Sequence, residues 1–191
     1  YYGGLMSTQA LAALSLSFPI FFIILAMGAG ISNGATALIA NSLGAGNKEK
    51  AEKYGCQAIS FSIIFSIFLT TAGLLISPTL FRILGAQGEY LQIALSYSNV
   101  IFYGAVFFLL THSLNGILIA EGDTKTFRNL LIFGFFLNLI LDPWFMFDGL
   151  GLPALGLAGV AWATITIQLI LSSILFVKIR SREPFKHLHI K

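Results

Sequence analysis

Five long apolar runs most constrain what this chain can fold into. They cover residues 10–43, 55–80, 91–119, 129–147 and 155–177. Each run reaches or approaches the ~20 residues that an α-helix needs to cross the hydrocarbon of a bilayer. Backbone groups in lipid must be paired within the chain, so such runs form helices. None shows the strict alternation over about ten residues that marks a membrane β-strand. We therefore predict an all-α, polytopic transmembrane bundle with five spans.

The composition supports a membrane protein and argues against other classes. Hydrophobic residues make up 57% of the 191 residues and charged residues only 10%, whereas a soluble domain carries about 25% charged residues. The single cysteine, Cys56, excludes a disulfide framework within this chain and a cysteine-cluster metal site. No nucleic-acid partner is predicted, because the basic residues lie in short loops and no nucleic-acid motif is present.

The basic residues predict how the helices are oriented. Ten of the eleven Lys and Arg residues fall in the loops 44–54 and 120–128 and in the tail 178–191. The alternating segments 81–90 and 148–154 hold the remaining one. Loops rich in Lys and Arg stay on the cytoplasmic side of a membrane. We therefore expect the three basic segments to be cytoplasmic in a multi-pass protein of the plasma membrane.

Asp142 is the only formally charged side chain inside the apolar runs. An isolated carboxylate in a membrane helix costs about 3 kcal/mol, so a proton, a bound cation or a polar partner must offset it. Asn138 lies four residues earlier and shares a helix face with Asp142. At 1.5 Å per residue, Asn138 and Thr164 both lie ~14 Å from the outer ends of their helices. Asp142 lies ~8 Å from the outer end of the helix that it shares with Asn138. The three side chains can therefore meet on neighbouring antiparallel helices.

The chemistry of these three side chains predicts a cation-coupling site. Carboxylate, amide and hydroxyl oxygens suit a hard cation such as Na⁺, and a desolvated carboxyl group can carry a proton instead. We expect Na⁺ or H⁺ as the coupling ion at Asp142, Asn138 and Thr164, and no other cofactor. A structural interpretation is the alternative: Asp142 and Pro143 mark a helix distortion, and Asp142 bonds backbone groups that the proline frees.

Two weaker candidates lie in the third run. His112 and Asn115 are candidates for the lining of a cavity, since an intramembrane histidine can relay protons. A hydrogen-bonded packing role is the alternative for His112. The sequence contains no His-Glu-x-x-His, no Gly-x-Ser-x-Gly and no paired carboxylates on one helix. We therefore predict that the chain is not an enzyme.

Several segments together resemble the multidrug and toxic compound extrusion family. Residues 40–51 resemble the cytoplasmic turn after the family's second helix, and residues 122–125 followed by Asn129 resemble its turn before helix five. Residues 138–143 and 156–164 resemble parts of helices five and six. The resemblance follows the family's order of segments over nearly the whole chain.

The resemblance implies an architecture and a set of partners. The family has twelve helices in two six-helix lobes, and it exports mostly cationic, amphipathic compounds in exchange for sodium ions or protons. Residues 1–180 would be helices two to six of the N-terminal lobe, without the first helix. Residues 181–191 would be a cytoplasmic linker toward an absent second lobe. The family's prokaryotic cation site would map onto Asn138, Asp142 and Thr164, while its further acid, on helix one, has no counterpart here.

Three functions remain open from the sequence. The first is a cation-coupled antiporter that exports cationic or amphipathic small molecules. The second is a flippase for lipid-linked saccharides from the same superfamily, although the lack of Lys and Arg in the apolar runs favours neutral or cationic cargo. The third is a membrane assembly subunit that transports nothing, in which Asp142 pairs with a partner helix. All three place the chain in a lipid bilayer, and the transport hypotheses also place it beside the missing first helix and C-terminal lobe of the parent chain.

Overall fold

The described part of the chain folds into six α-helices and one short 3₁₀ turn. The computed structural model describes residues 8–147, 155–183 and 185–187. In chain order the elements are α1 (Thr8–Gly44), α2 (Lys48–Ile83), α3 (Gly88–Tyr103), α4 (Ala105–Ala120), α5 (Lys125–Met146), α6 (Leu157–Arg180) and the 3₁₀ turn (Phe185–His187). These described ranges contain no β-strand. The prediction of an all-α chain is therefore confirmed.

The helices account for the predicted membrane spans, with one correction. The helices α1, α2, α5 and α6 are each long and apolar enough to cross a membrane. The helices α3 and α4, whose axes differ by 45°, are long and apolar enough for a fifth span when the bent pair is taken as one. The run 91–119 is therefore two helices rather than one. The two helices meet at Gly104, where a Cβ would clash with the side chain of Ile165 on α6. The lack of a side chain at the bend lets α6 pack directly against the backbone.

Five of the six helices pack around a common interior. α1, α2, α3, α4 and α6 share most of the helix contacts, whereas α5 lies at the periphery and packs mainly on α6. One buried apolar cluster includes Ile24 and Phe108, and a second includes Ile39 and Leu118. Large apolar side chains also point outward, among them Phe22, Ile64, Phe68, Phe136 and Val177. Such extensive exposed apolar surface is expected where a protein contacts lipid.

The loop between α4 and α5 is built by local hydrogen bonds. Gly122 has a φ of +82°, a conformation that residues with a side chain rarely adopt. The N–H of Asp123 then donates to the carbonyl of Leu118 at 2.9 Å and closes the end of α4. The Asp123 carboxylate accepts from the N–H of Thr126 at 2.9 Å, which caps the start of α5.

The segment after α6 folds back onto this loop. We call the end of the bundle that holds the loops 44–54 and 120–128 and this segment the basic end. The Arg182 guanidinium donates to the Glu121 carboxylate at 3.2 Å and also pairs with Asp123. Phe185 is fully buried in the cluster of Ile39 and Leu118. The first residues of the expected linker are therefore docked on the bundle.

The ion pairs at the basic end change the acidity of both carboxyl groups. Hydrogen bonds from Thr126, with a further contribution from Arg182, hold the pKa of Asp123 well below its usual range. Burial raises the pKa of Glu121, and the hydrogen bond from Arg182 opposes that rise. The Asp123 carboxylate is thus the group whose charge the folded protein stabilises.

Candidate cation site

Two close contacts fix the register of α5 against α6. Gly134 of α5 faces Ile167 of α6, and a Cβ on this glycine would lie 3.2 Å from that side chain. Gly159, near the start of α6, lies against the backbone of α5, and a Cβ there would lie 2.6 Å from the carbonyl carbon of Phe145. The beginning of α6 therefore meets the end of α5, and the two helices run antiparallel.

This register places the three predicted residues at similar depth. Counted from the two contacts, Thr164 lies level with residues 137–140 of α5. Asn138 is therefore within about two positions of the level of Thr164, and Asp142 is about two to five positions away, or ~3–8 Å along the helix axis. Leu141 and Ala163, the neighbours of Asp142 and Thr164 in sequence, are buried together between the helices.

Asp142 carries a buried oxygen without a partner. The residue as a whole is half-buried, but its Oδ1 atom is buried and accepts no hydrogen bond within the part of the chain that the structure describes. A buried polar atom left unpaired costs ~1–3 kcal/mol, so a partner from outside these residues is expected. The orphaned oxygen fits a proton, a cation or a donor group.

The alternative interpretation, in which Asp142 bonds backbone groups that Pro143 frees, is poorly supported by the helix geometry. Pro143 lies inside α5 and lacks an N–H, so the backbone group it frees is the carbonyl of Leu139, four residues earlier. A carbonyl is an acceptor, and an ionised carboxylate is also only an acceptor. Asp142 in its charged form therefore cannot satisfy the group that the proline frees.

The neighbouring side chains supply neutral oxygens. The Thr164 hydroxyl donates to the carbonyl of Val160 at 2.9 Å, which satisfies its proton and leaves its oxygen lone pairs for another partner. Asn138 is half-buried on the same helix as Asp142. One carboxylate and two neutral oxygens form a donor set that suits a hard cation such as Na⁺, and the same carboxylate can hold a proton instead.

The sequence analysis missed Tyr97 of α3. This tyrosine is buried, and its phenol lies within electrostatic range of the Asp142 carboxylate. A phenol can donate a hydrogen bond to a carboxylate. Asn99, two residues later, also has a buried side-chain oxygen without a described partner. The only signal in the sequence was the occurrence of these polar residues inside an apolar run, which does not reveal which helix they face.

The structure places His112 at the contact between α1 and α4, and Asn115 lies three residues later on α4. The His112 ring packs against Gly28 of α1 so closely that a Cβ there would lie 2.6 Å from it. The centroid of the same ring is 6.4 Å from that of Phe127 on α5. Asn115 is buried, and its Oδ1 has no partner among the described residues. His112 therefore has a clear packing role, while Asn115 retains a free acceptor.

The fold and the site together define a class: a polytopic helical membrane protein with a carboxylate inside the bundle. Comparison with known proteins identifies the family within this class. The family model described as MatE matches residues 1–144. The chain belongs to this family, which confirms the resemblance seen in the sequence.

Individual relatives agree with the family assignment. The chain is 32% identical over 186 residues to the probable multidrug resistance protein NorM of Thermotoga maritima, which covers 96% of the chain and 39% of that protein. It is 31% identical over 170 residues to the FAD transporter of Shewanella oneidensis, which covers 88% of the chain and 37% of that protein. The chain thus spans about 40% of the length of these relatives.

Solved structures of the family have the same fold. A crystal structure of MATE in the bent conformation superposes with a TM-score of 0.88 at 30% sequence identity. The match covers 100% of this chain and 41% of that one. The chain is therefore a multi-pass membrane protein built like part of a MATE transporter.

Proposed function

We propose that the chain forms most of one lobe of a cation-coupled antiporter that exports cationic or amphipathic small molecules across the plasma membrane. The Thermotoga maritima relative, named as a probable multidrug resistance protein, supports an export role. In this proposal a first helix and a second lobe complete the transporter, and the two lobes move about a site near the middle of the membrane. The basic end faces the cytoplasm.

The observation that carries the proposal is the buried Oδ1 of Asp142, which has no hydrogen-bond partner among the described residues. Asp142 alternates between a state that holds Na⁺ or a proton and a state that holds neither. Asn138 and Thr164 supply the remaining oxygens, and Tyr97 donates to the carboxylate when the ion has left. A ligand shifts a conformational equilibrium only by its difference in affinity for the two states. Binding of the cation therefore favours one lobe arrangement and binding of the cargo favours the other, which links release of the cargo to the outside to entry of the cation.

Replacement of Asp142 tests the proposal. The variant Asp142→Asn in the intact protein keeps the shape of the side chain but removes the charge that holds the ion. We expect cation-driven efflux to fall to background in vesicles that contain equal amounts of protein. Glu89→Gln is the matched control, because Glu89 is an exposed carboxylate at the start of α3. Unchanged efflux in Asp142→Asn would remove Asp142 from the mechanism.

Two further variants separate oxygen ligation from packing. Thr164→Val removes the hydroxyl at nearly constant volume, whereas Thr164→Ser keeps it. We expect the valine variant to need a higher concentration of the coupling ion for half-maximal efflux and the serine variant to resemble the wild type. Comparing a sodium gradient with a pH gradient then identifies the coupling ion.

The cargo is proposed on the charge of the helices. The apolar runs contain no Lys or Arg, which disfavours a phosphorylated or lipid-linked saccharide. The relative from Shewanella oneidensis is named as an FAD transporter, so cargo differs among the matched proteins. Competition between a cationic dye and FAD for efflux distinguishes these cargo classes, and we expect only the dye to be exported.

A further inference from the structure

An open groove lies between α1 and α2, away from the cation site. Its volume is about 570 Å³. On α2 its wall includes Phe61 and Phe65, whose stacked rings have centroids 5.5 Å apart, and on α1 it includes Ile31 and Leu38. From Tyr54 to Phe65 the groove follows ~16 Å of helix. That length is close to the ~15 Å of hydrocarbon in one leaflet of a bilayer.

Two glycines of α1 widen this groove. Gly30 and Gly34 are four residues apart on one helix face, and both line the groove. A Cβ at either position would meet no described atom within 4 Å. Gly28 differs, because a Cβ there would collide with the ring of His112. Contacts among the described helices thus require glycine at position 28 but not at positions 30 and 34.

At the basic end the groove opens into a polar recess. The recess has a volume of about 370 Å³ and shares Tyr54 and Gln57 with the groove. Glu49, Lys50 and Lys53 also line it. The Lys50 ammonium lies 5.8 Å from the centroid of the Tyr54 ring. Two lysines and one glutamate leave the recess with one net positive charge, at the level where the apolar wall gives way to polar residues.

We propose that this groove binds one phospholipid with a singly charged anionic head group, of the phosphatidylglycerol type. An acyl chain lies along Phe61 and Phe65, and the phosphodiester is held by Lys50 and Lys53. One negative charge balances the net charge of the recess, whereas a zwitterionic lipid leaves it unbalanced. The bound lipid holds α1 and α2 together at the basic end, and this role does not depend on the cation site.

Native mass spectrometry of the intact protein tests the proposal, with phosphatidylglycerol and phosphatidylcholine as competing probes. We expect the wild type to retain phosphatidylglycerol preferentially. Lysines near a membrane surface contribute ~1 kcal/mol each toward anionic lipid, so Lys50→Gln/Lys53→Gln should weaken binding about thirtyfold. The matched control is Lys125→Gln/Lys178→Gln, which removes two exposed lysines at the same end but outside the groove. It should bind as the wild type does.

A second variant tests the apolar part of the site. A Cβ at Gly34 meets no described atom within 4 Å, so Gly34→Leu extends its side chain into the groove. The protein should keep its melting temperature in phosphatidylcholine and lose its preference for phosphatidylglycerol. Equal retention of both lipids by the wild type would overturn the proposal. So would equal losses in the two lysine variants, unchanged binding in Gly34→Leu, or misfolding of Gly34→Leu, since the last result would mean that another helix covers the groove.

Discussion

Gly159 offers a sharp test of the helix contact that aligns the cation site. A Cβ at this position would lie 2.6 Å from the carbonyl carbon of Phe145 and 2.9 Å from the backbone nitrogen of Met146. Ordinary contacts of this kind begin at 3.4 Å. Gly159→Ala therefore forces the end of α5 away from α6 by at least about 0.8 Å. Backbone atoms cannot rotate aside as the tip of a side chain can, so the whole turn must move.

The size of this displacement decides the expected effects. Overpacking that shifts backbone typically costs ~1–3 kcal/mol, so the apparent melting temperature of the intact protein in detergent should fall. Ligand distances in an ion site must hold to within about 0.2 Å. A shift of about 0.8 Å beside Asp142 should therefore also abolish the cation dependence of efflux.

The control for Gly159→Ala lies on the same pair of helices. Gly134→Ala places a Cβ 3.2 Å from Ile167 and 3.3 Å from Leu171, and both contacts are with the tips of side chains. These tips need to move by only a few tenths of an ångström, so stability and coupling should be nearly unchanged. If the two alanine variants behave alike in both assays, the contact at Gly159 does not align the site.

Further predictions concern the basic end, and all can be measured as thermal unfolding of the intact protein. Asp123→Ala should lower stability by about 1 kcal/mol through loss of the cap on α5, with a smaller loss from the partly exposed ion pair to Arg182, whereas Asp123→Asn should keep most of the cap. Because the folded pKa of Asp123 is depressed, its stabilisation is complete above the ordinary pKa of about 4 and is lost as the pH falls below it. The fall of the melting temperature toward acid pH should therefore be shallower in Asp123→Ala. An unchanged fall would mean that other groups cause it. Phe185→Ala should cost ~3–5 kcal/mol, since the ring is fully buried, and a smaller loss than 1 kcal/mol would mean that the tail does not dock.

The sequence predicted the parts of the fold that depend on local patterns. The five apolar runs became the helices that span the membrane, because hydrocarbon leaves the backbone no other pairing. The bend at Gly104 could not be predicted in this way. It depends on the approach of Ile165, a residue 61 positions later. A contact between residues so far apart does not alter the local hydrophobic pattern of the sequence.

The candidate site was predictable to a similar extent. Asp142 stands out because a carboxylate inside an apolar run is costly, and the spacing to Asn138 follows from helix geometry alone. Tyr97 was missed, since nothing local to α3 indicates that its phenol interacts electrostatically with Asp142. The docking of Arg182 on Glu121 and Asp123 was also missed, because a basic tail carries the same signal whether it determines topology or forms ion pairs.

Cation binding by the purified intact protein tests the central claim most directly. We predict that the wild type binds sodium ions, or takes up a proton as the pH falls, with one site that disappears in Asp142→Asn and persists in Glu89→Gln. Equal cation binding by the wild type and Asp142→Asn would contradict the account, because the orphaned carboxylate oxygen would then have another partner and another role.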